Sequence, residues 1–190
     1  IMKHLVFPVL GRLALLLAAA GLFASCANHV DMPKGSYKSY HSARLVQRDP
    51  GSPAITDATE KQVHGMIQTS IARQFAAKGM AYGKSGADLS VGYMVIYQEP
   101  GMTASYDQYF GYGRDSGQIA DIAHTRGALD NQRPDFFRQA GIIIDIIDTR
   151  DNKLVYRNIA KGDVIKGASS GSRAARIDAA VGQALADFFR

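Results

Sequence analysis

GIIIDIIDTRDNKLVYRNIAKG, residues 141–162, decides how this chain folds. Positions 142–147 are isoleucine throughout, except for Asp145. β-Branched side chains pack well on a pleated surface, and apolar residues on both faces mark a strand in the middle of a sheet. Residues 149–153 supply turn chemistry through Asp151 and Asn152, so the strand turns back as a hairpin. Pairing across this five-residue loop sets Asp145 opposite Arg157. An acid among isoleucines reads either as a proton donor tuned by burial or as half of a cross-strand ion pair. The pairing arithmetic favours the ion pair.

Working outward, residues 88–98 (DLSVGYMVIYQ) read as a second strand. Leu89, Val91, Tyr93, Val95 and Tyr97 share one face, while Met94 and Ile96 on the other predict an end covered from both sides. Residues 57–78 space Val63, Ile67, Ile71 and Phe75 four apart, one stripe of a helix. Thr56 or Asp57 is placed to cap that helix and Gly79 to stop it, with Met66 as core filler. A second amphipathic helix spans 172–189 through Ile177, Ala180, Val181, Ala184, Leu185 and Phe188. Residues 36–46 read as a strand with Tyr37 turned inward, followed by a turn-rich break over 48–54. The fold class is α+β: two layers, a mostly antiparallel sheet with two main helices packed on it.

The segment 100–140 resists assignment. It reads as a long loop with an edge strand over 105–111, and loops of this length are more often functional or disordered than idle. Tyr106, Tyr109, Phe110 and Tyr112 make it the expected contact surface, because tyrosines among glycines suit binding.

The N-terminus carries a different signal. Lys3, His4 and Arg12 precede a charge-free apolar run from Leu13 to Ala24, the layout of a secretory leader. That run is twelve residues long, against the roughly 20 needed to span a bilayer as a helix. Ala24-Ser25-Cys26 resembles the end of a bacterial lipobox, although leucine here stands four residues before the cysteine rather than three. The expectation is a signal peptide over 1–25, a lipidated tether over 26–35 beginning at Cys26, and one domain over 36–190. An uncleaved anchor and plain secretion are the alternatives. Ala27, rather than an aspartate, after the cysteine implies the periplasmic face of the outer membrane.

Composition narrows the chemistry. The chain carries a net charge of +5, which falls to +3 once Lys3 and Arg12 leave with the leader, and its basic residues are scattered. That is not the footprint of a nucleic-acid binder. Cys26 is the only cysteine, so no disulfide and no cysteine metal site forms within one chain. His29, His41, His64 and His124 show no metal-ligand spacing and read as surface or capping residues. Ser169 lies in a Gly-x-Ser-x-Gly pattern before a helix, but no histidine follows it, so a nucleophile elbow fails and a helix cap remains. No catalytic residue, cofactor site or metal site is assigned.

Several stretches together resemble a family of bacterial envelope lipoproteins known as domain of unknown function 4136. They are Tyr37-Lys38-Ser39-Tyr40, Phe75-Ala76-Ala77-Lys78-Gly79-Met80, Asp88-Leu89 and the hairpin from Ile142 to Asn158. Tyr156 stands where that family has tryptophan and Asn158 where it has glycine. The resemblance implies an α+β envelope domain and assigns no functional residue. The leading functional expectation is a lipid-anchored, non-catalytic module that holds an envelope protein or polymer near the membrane. The alternative is a periplasmic enzyme using the 100–140 region as its site.

Overall fold

The computed structural model describes residues 32–47, 55–98, 105–106, 138–165 and 167–190. After a 3₁₀ turn at Tyr37–Ser39 come β1 (Ser42–Leu45), α1 (Ala58–Ala77), β2 (Ala81–Tyr82), β3 (Leu89–Gln98) and β4 (Ser105–Tyr106). β5 (Arg138–Asp148), β6 (Lys153–Val164) and α2 (Ser170–Leu185) complete the described elements. The strands line up as β2-β1-β3-β5-β6, with β4 pairing at the end of β3. The long ladders β3–β5 and β5–β6 are antiparallel. β1 runs parallel to both β2 and β3, because α1 carries the chain back before β2 begins. The expected α+β architecture holds, with a parallel corner inside a mostly antiparallel sheet.

The isoleucine strand sits between two partners, as residues apolar on both faces require. Val91, Tyr93 and Val95 pair with Ile146, Ile144 and Ile142, which pair in turn with Tyr156, Asn158 and Ala160. This row faces the helices. Against it pack Ile67, Ile71 and Phe75 from α1, Val181, Ala184 and Leu185 from α2, and Phe188 beyond it. Each large side chain so buried contributes about 1.5–3 kcal/mol by area. The opposite face is buried as well, with Met94, Ile96, Ile143 and Ile147 all at most 3% exposed.

Helix ends follow local chemistry. Asp57 caps α1 by accepting from the Glu60 N–H at 2.8 Å, and Gly79 at φ +75° closes it as only glycine does without strain. Ser169 caps α2, its Oγ accepting from the Ser172 N–H at 3.2 Å. The second helix is shorter than its apolar spacing predicts. It ends at Leu185, and Phe188 and Phe189 reach the core from a following turn.

Two further expectations change, while Tyr37 does turn inward. Residues 36–46 are not one strand, since the 3₁₀ turn precedes a strand of only four residues. Tyr37 is half-buried and packs its ring on Phe188 and Phe189, at 6.4 and 5.6 Å between centroids. The hairpin turn holds four residues rather than five, with Asn152 at φ 54°. The pairing shifts because Ile146 faces Tyr156 while Ile147 faces Leu154, which leaves Val155 as the extra residue of a β-bulge.

That bulge receives the N-terminal approach. The Gly35 N–H donates to the Val155 carbonyl at 2.8 Å, and the Arg157 N–H donates to the Pro33 carbonyl at 3.0 Å. Residues 33–35, grouped with the tether on sequence grounds, thus run along the outer edge of β6. A Cβ at Gly35 would strike the Val155 carbonyl oxygen, so glycine is required there for close approach.

Candidate functional site

Among the described residues, Asp145, Asp88 and Asp148 are engaged by the chain itself. Asp145 is 0% exposed and Arg157 1%, and the two form a bidentate pair. Nε donates to Oδ1 and Nη2 to Oδ2, both at 2.6 Å. The pairing read from the hairpin arithmetic is therefore present, on the sheet face away from the helices. A charge pair this deep survives only because its hydrogen bonds offset desolvation.

Asp88 and Asp148 fasten the other end of the sheet. The Asp88 carboxylate accepts from the backbone N–H groups of His41 and Ser42 at 2.8 and 3.0 Å, which ties the start of β1 to β3. The His41 N–H bond holds its carboxyl below the usual range. Asp148 accepts from the Arg150 backbone and Nε at 3.0 Å, from Arg150 Nη2 at 2.5 Å, and from the Tyr40 hydroxyl at 3.0 Å. Those Arg150 hydrogen bonds drive the Asp148 carboxyl far below the ordinary carboxylate value.

His64 is not a surface or capping residue. It is 3% exposed beneath α1, with Nδ1 2.8 Å from the Tyr93 hydroxyl, which also accepts from Gln68 Nε2 at 2.9 Å. Glu60 lies one helical turn before it, Oε1 being 3.9 Å from His64 Nε2. The signal available in the sequence was position: 60, 64, 67, 68 and 71 share one side of a helix.

Two side chains of β6 act together. The Tyr156 hydroxyl donates to the Ala184 carbonyl at 2.6 Å, and Asn158 Nδ2 donates to the same oxygen at 3.1 Å. They lie two apart on one face of β6 and jointly satisfy a carbonyl that the end of α2 leaves without a helical partner.

Two concavities flank α2. One is an open groove against α1, lined by Gly65, Met66 and Ala174. It is crossed by the Arg73–Asp178 ion pair and by a 2.6 Å hydrogen bond from Ser70 to Asp178. The other is a cavity of about 400 Å³ between α1, α2 and the end of the sheet, reached past Val164 and Ile165.

Cys26, Tyr109, Phe110 and Tyr112 lie outside the described residues, as do His29 and His124. Tyr106 is described only in its backbone, which pairs with Ile96. Among the described residues, no three His, Cys, Asp or Glu side chains gather as a metal site, and no helix is long and apolar enough to cross a membrane.

Among solved structures, the chain is similar to a PelC variant dodecamer from Paraburkholderia phytofirmans. The identity is 12% and the TM-score 0.39, over 84% of this chain and 92% of that one. It is also similar to a PDZ domain protein from Parabacteroides distasonis, at 10% identity and a TM-score of 0.36. That match covers 76% of this chain and 32% of the other. No curated protein matches. The profile of a family described as a domain of unknown function, DUF4136, matches residues 28–188. The chain therefore belongs to the DUF4136 family.

Proposed function

We propose that this chain is a lipid-anchored envelope protein, a non-catalytic module that holds a protein or polymer partner at the periplasmic face of the outer membrane. The observation that carries the reading is Cys26 at the end of a basic-then-apolar leader, six residues ahead of Met32. At about 3.3–3.6 Å per residue, six residues reach roughly 20 Å. A chain anchored there holds its domain close to the headgroups, with the β6 edge nearest the bilayer. Diacylation would make that attachment stable, since one acyl chain alone binds only marginally.

Among the described residues, Asp88, Asp145 and Asp148 use their carboxylates to hold the fold. Each is tied to a neighbouring element of the fold.

The test is Cys26→Ser expressed in the bacterium. The unaltered chain should sediment with outer membranes and carry acyl mass, and the variant should lose both. A variant that still sediments with membranes, together with a parent chain free of acyl groups, would refute the anchor. Crosslinking the anchored protein in intact cells should then capture one recurrent envelope neighbour through residues 105–112.

A further inference from the structure

We propose that the cavity between α1, α2 and the end of the sheet binds a single-chain anionic amphiphile. Its acyl tail lies on the apolar floor, and its carboxylate or phosphate head meets Arg173 and Arg176. The site lies wholly within the folded domain, so it stands or falls independently of Cys26.

The cavity holds about 400 Å³, within the range of small-molecule sites. Its floor rests on Ile67, Val95 and Ile142, none more than 6% exposed, so the apolar surface open to an occupant comes from the walls and mouth. Val63, Ile177 and Ala180 form walls that are only half-buried, so they present apolar surface to the space between them. At the mouth stand Val164 and Ile165, 36% and 55% exposed, the large hydrophobic side chains left in solvent among the described residues. Leaving such side chains beside an apolar hollow is unfavourable unless something apolar covers them.

Charge selects the kind of occupant. Arg173 and Arg176 line the same cavity from the first two turns of α2. Their hydrogen bonds go to neutral groups: Arg173 Nη1 to Gln62 Oε1 at 3.4 Å and Arg176 Nη1 to Ser172 Oγ at 3.3 Å. Among the described residues neither guanidinium is held by a carboxylate, and a guanidinium fork suits a carboxylate or phosphate. Asp163 also lines the rim and has an interaction of its own. Among the described lining residues the two arginines outnumber the one acid, which matches an anionic head. An apolar floor without the arginines would favour neutral ligands, and the arginines without the floor would favour inorganic anions. Their combination favours an amphiphile.

The experiment uses the full chain in zwitterionic lipid nanodiscs, labelled with a dodecanoate that carries a diazirine near its methyl end. Crosslinks should map to α1, α2 and the end of β6. Competition by octanoate, decanoate and dodecanoate should tighten by about fourfold per added methylene until the floor is filled. Dodecylphosphate should compete like dodecanoate, and dodecyltrimethylammonium should not. Arg173→Gln with Arg176→Gln touches no core residue and should weaken labelling by about tenfold or more at unchanged melting temperature. Ala180→Phe, which fills the cavity, should abolish it. Labelling spread over the surface, equal competition by the cationic amphiphile, or full labelling of the arginine double variant would each overturn the proposal.

Discussion

Replacing Asp145 with asparagine keeps the side chain's shape and removes its charge. Arg157, 1% exposed, would then hold a buried guanidinium against a neutral amide. Breaking a buried pair from one side costs about 3–5 kcal/mol. A domain of this kind has about 5–15 kcal/mol in total. At about 2–4 °C per kcal/mol for this chain length, Asp145→Asn should melt about 6–20 °C below the parent. The double replacement Asp145→Leu with Arg157→Met should behave differently. It removes both charges into a face already lined by Met94, Ile143 and Ile147, so it should recover most of the loss. Thermal and urea unfolding followed by circular dichroism, with Asp145→Leu and Arg157→Met as the single variants of a double-mutant cycle, would read this coupling. An Asp145→Asn chain melting within about 1 °C of the parent, or a double variant weaker than either single one, would refute the reasoning.

Leu185→Asp should leave the protein insoluble or degraded, because Leu185 is 0% exposed in the core and its loss alone costs about 2–5 kcal/mol before the buried charge is counted; soluble yield and melting temperature check this. Tyr82→Phe should raise stability by about 1 kcal/mol, since the Tyr82 hydroxyl is buried and meets no hydrogen-bond partner among the described residues. Burial pushes that phenol up to about 12, so the folded state keeps a proton that the unfolded state loses near pH 10. The resulting stabilisation is complete below about pH 10 and fades as pH rises through the folded value. Unfolding of Tyr82→Phe in alkali should lack Tyr82's share of that decline while Tyr40 and Tyr156, also raised by burial, keep theirs. Gly35→Ala should cost about 1–3 kcal/mol by driving a methyl into the Val155 carbonyl, with faster hydrogen exchange at the Gly35 and Arg157 amides as the local sign.

The parts of the fold that repeat at a fixed period were legible in the sequence. Ile67, Ile71 and Phe75 recur at one helical spacing, the isoleucines alternate across β5, and the hairpin sum put Asp145 against Arg157. What escaped depends on single residues with no periodic trace. The Val155 bulge shortens the turn because the third partner, Gly35, lies 120 positions away in the chain. The parallel pairing of β1 with β3 is likewise long-range, and a four-residue strand is too short to declare its direction. The fastening by Asp88 and Asp148 rests on backbone and arginine partners that leave no periodic trace. The amphiphile cavity was invisible for the same reason: its arginines, isoleucines and valines come from five separate elements, and each reads as ordinary in its own stretch.

Arg157 joins two systems at once, since its amide reaches back to Pro33 and its guanidinium clasps Asp145. Any tension applied to the chain ahead of Pro33 therefore enters the sheet at this residue. Lys34 opposes Tyr156 in antiparallel fashion, so a pull along the strand strains the two flanking backbone bonds together instead of peeling them singly. The force then passes through a charge clamp into β5, the best-supported strand of the sheet. The entry point of the chain is thus built as a mechanical hold.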